Sequence, residues 1–187
     1  MVALQTICEI LFCGAVIHYF YLHKNASMKQ LPGKITSEEA LQKAEQFCSI
    51  KECSKQEIRN RLIKWTLSDK NIANIIQKLV TENYINENRF ALSYYHDKIR
   101  INKWGTVKIK SGLRAAGIPD EAIQSASEKI DTQEYYDMIE REIQKKVKQS
   151  KTKDVFRLKA EIFRFSQSRG YELSIVSQVM KTDFEKE

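Results

Sequence analysis

The sequence predicts an all-α protein, made of three tandem three-helix repeats stacked into a curved, elongated helical array. Three observations predict it. The 187 residues include only 2 Pro and 6 Gly, too few for a turn-rich β architecture. Helix-capping signals stand ahead of apolar stripes at helical spacing. One apolar pattern also returns along the chain, and units too small to bury their own faces stack into a row with a long exposed surface.

The first element is an apolar stretch, Ile7 to Leu22 (ICEILFCGAVIHYFYL), interrupted by Glu9 and His18. Its uninterrupted core, Ile10 to Ile17, falls short of the roughly 18 apolar residues expected of a spanning helix, and no Lys or Arg precedes it as in a signal peptide. Met28 opens MKQLPGKITSEEA, with a short basic lead, Pro32-Gly33 as breaker and then a cap. Residues 1–33 therefore read as an apolar N-terminal extension, and the native chain is expected to begin at Met28, with residues 1–27 upstream of it. The rival reading is a membrane anchor.

Thr36-Ser37-Glu38-Glu39 matches a capping box, followed by Ala40, Leu41, Ala44, Phe47 and Cys48 at helical spacing. A second box, Ser54-Lys55-Gln56-Glu57, opens a helix with Ile58, Leu62 and Trp65 on one face. Ser68 or Asp69 caps a third, striped by Ile72, Ile75, Ile76, Leu79 and Val80 and ending at Asn83-Tyr84. The pattern then repeats. Ile109, Leu113, Ala116, Ile118 and Ile123 stand at one constant offset from Ile58, Leu62, Trp65, Leu67 and Ile72. A looser third copy comprises Leu158, Ile162 and Phe165, then, after an insertion, Gly170-Tyr171, Val176 and Val179. The expected organisation is repeats at 34–84, 85–129 and 130–181, with a tail at 182–187.

Catalysis is not expected. His18 and His23 belong to the extension, and His96 lies in an aromatic-rich helical stretch where packing explains an imidazole. No glycine-rich phosphate loop or zinc-protease helix is present. Cys8, Cys13, Cys48 and Cys53 lack zinc-knuckle spacing and read as reduced thiols, so neither metal nor cofactor is expected. Tyr84, Phe90, Tyr94 and Tyr95 read as core, whereas Trp104, beside Gly105 in a loop flanked by cations, suits contact and packing equally.

The formal charge is +7, and residues 1–27 contribute nothing to it because Glu9 and Lys24 cancel. Such an excess favours a polyanion or an acidic protein surface as partner. Lys98, Arg100, Lys103, Lys108, Lys110 and Arg114 follow one another with no acid until Asp120. On a helix beginning near Thr106, Ile109, Leu113 and Ala116 face the core while Lys110 and Arg114 project outward one turn apart. Arg59, Arg61 and Lys64 form a second candidate set. The run Lys145, Lys146, Lys148, Lys151 and Lys153 follows acids and reads as a solvated face. Ser54 to Leu79 also admits a helix-turn-helix reading for duplex DNA, but Ser68 to Val80 is poorly equipped for groove readout. A membrane-anchored helical scaffold is the other alternative.

Ala40 to Leu62, and above all Leu79-Val80-Thr81-Glu82-Asn83-Tyr84-Ile85-Asn86-Glu87-Asn88-Arg89-Phe90-Ala91, resemble the RecX family. Lys103-Trp104-Gly105, Ile109, Leu113 and Gly117-Ile118 continue the likeness, which fades towards Met180. Asn86 stands where the family usually carries an acid. The resemblance implies a non-enzymatic cytoplasmic regulator of DNA repair, recombination and the SOS response, without stable membrane association. It implies binding along the RecA filament on single-stranded DNA and inhibition of RecA's ATP hydrolysis, strand exchange and co-protease action. The basic residues named above are the expected contacts to DNA phosphates or to acidic filament surface.

Overall fold

A computed structural model describes residues 35–184. The chain divides into two units, Met1–Ile35 and Thr36–Glu187, and the helices described belong to the second. The apolar stretch, Cys8, Cys13, His18, His23 and the expected start at Met28 lie outside the described residues. Nine helices and no strand occur among the described residues: α1 (Ser37–Ile50), α2 (Lys55–Lys64), α3 (Asp69–Thr81), α4 (Glu87–Arg100), α5 (Thr106–Ala115), α6 (Asp120–Glu128), α7 (Thr132–Gln149), α8 (Val155–Arg169) and α9 (Leu173–Phe184). None of them is long and apolar enough to cross a membrane.

Local chemistry sets the helix starts. Thr36 and Glu39 form the reciprocal capping box at α1, with hydrogen bonds of 3.1 and 3.2 Å. At α2 only half of the expected box forms: the Glu57 amide donates to Ser54 Oγ at 3.1 Å, while the Glu57 carboxylate turns away to pair with Lys51. Ser68 caps α3. That helix stops at Thr81, before the expected Asn83-Tyr84, because Asn83 adopts a left-handed φ of 60°, a conformation Asn tolerates and a continuing helix does not. Asn86 then caps α4 through the Arg89 amide at 3.1 Å. An Asn accepts that bond as an Asp does.

The helices pack chiefly within successive sets of three, α1–α3, α4–α6 and α7–α9. The repeat positions proposed from sequence are structurally equivalent in the first two sets: α2 and α5, like α3 and α6, begin at the same offset, and Ile58, Leu62, Ile72, Ile109, Leu113 and Ile123 are all buried. In the third set, Gly170 matches Gly117, both with positive φ at a helix end. The same spacing then equates Ile109, Leu113, Ile118, Ile123 and Ala126 with Ile162, Ser166, Tyr171, Val176 and Val179, every one buried. The extra residues therefore lengthen the start of α8 and do not separate Phe165 from Gly170. The buried Ser166 in a leucine's place explains why the third copy looked loose.

The second and third sets share one core, in which Tyr95, Ile109, Leu113, Ile139, Ile143, Ile162 and Val176 are fully enclosed. Polar contacts link the first set to the second. Arg89 donates to Glu52 Oε1 at 2.8 Å and to Asn83 Oδ1 at 2.8 Å, and Lys55 pairs with Glu87 at 3.1 Å. Cys53 is a buried free thiol and Cys48 a half-buried one. Hydrogen bonding with Cys48, then burial, raises the Cys53 thiol above its ordinary range, and its full enclosure keeps reagents from it.

Candidate functional site

The α4–α5 loop is held from two directions. Within its own set, the Trp104 amide donates to the Lys98 carbonyl at 3.0 Å. From the third set, the end of α8 lies against it: the Gly105 amide donates to the Arg169 carbonyl at 2.9 Å and the Val107 amide to the Gly170 carbonyl at 3.2 Å. Arg169 Nη1 also donates to the Asn102 carbonyl at 3.0 Å, and the Tyr171 hydroxyl to the Lys103 carbonyl at 2.9 Å. Backbone approaches this close leave no room for side chains. A Cβ on Gly105 would sit 2.0 Å from the Gly170 oxygen.

Trp104 packs against the shared core, the packing half of its reading from sequence, and its ring carries cations of the chain itself. Lys98 Nζ lies 5.0 Å and Lys108 Nζ 4.6 Å from its ring centroid, distances at which the indole quadrupole attracts an ammonium. Lys108 Nζ also donates to the Ser168 carbonyl at 3.0 Å, and Lys98 lies 4.9 Å from the Tyr94 ring. Among the described residues, Lys98, Lys103, Lys108 and Lys110 have no carboxylate partner. Arg100 reaches Glu134 at 3.9 Å and Arg114 reaches Asp120 at 2.8 Å, both exposed pairs. Ile109 and Leu113 face the core as expected, with Lys110 half-buried and Arg114 exposed on the other side.

The second candidate set occupies α2, in a different module. Arg61 stacks on the Phe47 ring at 3.5 Å, while Arg59 and Lys64 are exposed. In the lysine-rich run, Lys145 pairs with Glu142 at 2.8 Å and Lys146 with Glu161 at 2.7 Å. Hydrogen bonds from Lys146 and then Ser150 hold the Glu161 carboxyl below the usual range. Sequence reasoning missed Arg169. Its signal was an arginine at the position that holds Ala116 in the preceding repeat, visible only once the third alignment is corrected.

Behind the loop, the N-cap position of α5 is Gly105, which offers no side-chain cap. The Thr106 amide donates instead to the Tyr135 hydroxyl at 2.9 Å, which donates to Glu172 Oε2 at 2.6 Å, and the Thr106 hydroxyl donates to the other Glu172 oxygen. A carboxylate beside a helix N-terminus is favourably placed. Tyr135→Phe breaks this relay and is expected to cost about 1–2 kcal/mol, lowering the thermal midpoint by about 3–6 °C. An unchanged midpoint would show that the relay contributes nothing. Burial, then the bond to Glu172, raises the Tyr135 hydroxyl far above its ordinary range; burial, then Glu142, does the same for Tyr171. The folded chain thus keeps protons that the unfolded chain releases, so stability is full below the ordinary tyrosine value of about 10 and falls as pH rises past it. Urea midpoints are expected to hold up to about pH 9 and decline beyond about pH 10; a flat profile through that range would contradict the burial of these phenols.

Residues 86–126, which include α4, the loop and α5, match the family model described as RecX, second three-helix domain. The regulatory protein RecX of Prosthecochloris aestuarii is 31% identical over 93 residues, covering 50% of this chain and 62% of that protein. The regulatory protein RecX of Clostridium acetobutylicum is 32% identical over 135 residues, covering 70% of this chain and 62% of that protein. A crystal structure of RecX from Lactobacillus salivarius is similar with a TM-score of 0.69 at 18% identity, covering 78% of this chain and 95% of that one, which shows a shared fold. The chain spans less than two thirds of the length of these two curated relatives.

Proposed function

This chain belongs to the RecX family, and from that premise we propose that it binds the RecA filament on single-stranded DNA and lowers RecA's ATP hydrolysis, strand exchange and co-protease action. It acts in the cytoplasm by binding and not by catalysis, without cofactor or stable membrane association, and so modulates repair and recombination. Its working division is three repeats at 34–84, 85–129 and 130–181, preceded by an extension at 1–33 and followed by a tail at 182–187. One observation carries the reading: the segment matching a RecX three-helix domain is the one whose helices and loop hold Lys98, Lys103, Lys108 and Lys110 without carboxylate partners among the described residues. Such cations attract a polyanion over a distance and orient it without reading bases.

The test is titration of the full chain into the cognate RecA, following ATP hydrolysis on single-stranded DNA with naked DNA as control. Inhibition below RecA stoichiometry, with weak binding to naked DNA at physiological salt, is expected. Unchanged hydrolysis and filament lifetime, together with tight duplex binding, would replace this reading with the helix-turn-helix one. Charge reversal at Lys110 and Arg114 is expected to weaken filament binding about tenfold while leaving helicity intact. Most of that loss falls on Lys110, because Asp120 already offsets Arg114. Equal binding by this variant in low and high salt would remove the pair from the contact set.

A further inference from the structure

Two ammonium groups share one indole, and among the described residues neither has a carboxylate partner. Lys98 Nζ and Lys108 Nζ both lie within 5.0 Å of the Trp104 centroid, hence within about 10 Å of each other, where like charges repel. Each is held in place, Lys98 against Tyr94 and Lys108 by the Ser168 carbonyl. Arg169 is anchored on the neighbouring Asn102 carbonyl and on the Phe165 ring at 5.5 Å. Lys103 is fixed in the same loop by a left-handed φ of 54° and by Tyr171 on its carbonyl. Among the described residues, no carboxylate pairs with any of these four cations, although Arg100 and Arg114 nearby in sequence each have one.

We propose that this junction is a seat for the phosphodiester backbone of a single strand, with Lys98, Lys103, Lys108 and Arg169 taking neighbouring phosphates around Trp104. Lysine ammoniums suit phosphates as point charges, and release of condensed counterions from the strand offsets their mutual repulsion. Because Arg169 comes from the third module and the rest from the second, the seat is complete only while the two modules are docked. The proposal rests on the filament reading only for where the strand is met.

The experiment measures fluorescence anisotropy of a labelled oligodeoxythymidylate with the full chain, between about 50 and 200 mM salt. Lys98→Gln with Lys108→Gln is expected to weaken binding about 25-fold near 0.1 M salt and to lower the log–log salt slope by about 1.4, since each lost phosphate contact on a single strand removes about 0.7. Arg169→Gln lowers the slope by about 0.7, Arg169→Lys restores it, and Lys145→Gln leaves it unchanged. Circular dichroism confirms folding, and Arg169→Gln alone carries the test should the double variant not fold. Slopes equal to the parent's, or no binding by the parent even at the lowest salt, would overturn the seat. Weaker RecA inhibition by variants with unchanged oligonucleotide binding would also overturn it, assigning the cations to an acidic protein surface while the filament reading stands. Parental strand binding without any effect on RecA would sink the filament reading and leave the seat.

Discussion

Gly105→Ala is expected to lower the stability of the folded chain by about 3 kcal/mol, because the new methyl runs into the Gly170–Tyr171 peptide. Its Cβ would lie 2.0 Å from the Gly170 oxygen and 2.5 Å from the Tyr171 nitrogen, and neither atom can rotate away as a side chain would. Relief requires the α4–α5 loop and the end of α8 to separate, which sacrifices the Gly105 to Arg169 and Val107 to Gly170 hydrogen bonds. Each is worth about 1 kcal/mol, and the displaced packing adds a similar amount. The thermal midpoint should fall by about 6–12 °C for a chain of this size. Gly170→Ala should be comparably harmful: its φ of 78° costs an L-residue about 1–2 kcal/mol, and its Cβ would meet the Lys108 nitrogen at 2.6 Å. A loss below about 0.5 kcal/mol for Gly105→Ala, the range of an ordinary surface substitution, would mean that the modules do not approach this closely.

Leu113→Ala is expected to cost about 3 kcal/mol and to loosen two modules at once. Leu113 is fully buried in the core that joins α4–α6 to α7–α9, and removing its branched end leaves a cavity on top of the lost transfer free energy. Leu62 holds the same repeat position and is equally buried, but it lies outside that shared core. Native-state hydrogen exchange separates the two cases. Leu113→Ala should lower amide protection together across α4 to α9, whereas Leu62→Ala should do so mainly in α1 to α3. Loss confined to α5 in Leu113→Ala would refute a cooperative second and third module.

Much of the fold was legible because its determinants are short-range. Thr36, Ser54 and Ser68 cap the helices they precede, and each acts on an amide three residues away. The apolar stripes announce which face is buried. The errors were also local in origin. Glu57 had two partners within reach and took Lys51 over the cap, and Asn83 ended α3 early through a backbone conformation that no hydrophobic pattern encodes. The third repeat was misaligned because Ser166 is buried where a leucine would be expected.

The sequence by itself determined the helical class, the caps at Thr36, Ser54 and Ser68, the repeat of the first two sets and a surplus of cations with no acid from Lys98 to Arg114, since charge and periodicity are properties of neighbours along the chain. Only the tertiary structure decided which of those cations keep their charge uncompensated. Asp120 captures Arg114, Glu134 reaches Arg100, and the docking of α8 brings the Arg169 guanidinium onto the Asn102 carbonyl of the α4–α5 loop. The Arg114–Asp120 pair forms across the turn between α5 and α6 of one module, whereas the Arg100–Glu134 pair and the approach of Gly105 to Gly170 depend on where separately formed modules come to rest, which is settled by packing across the shared core.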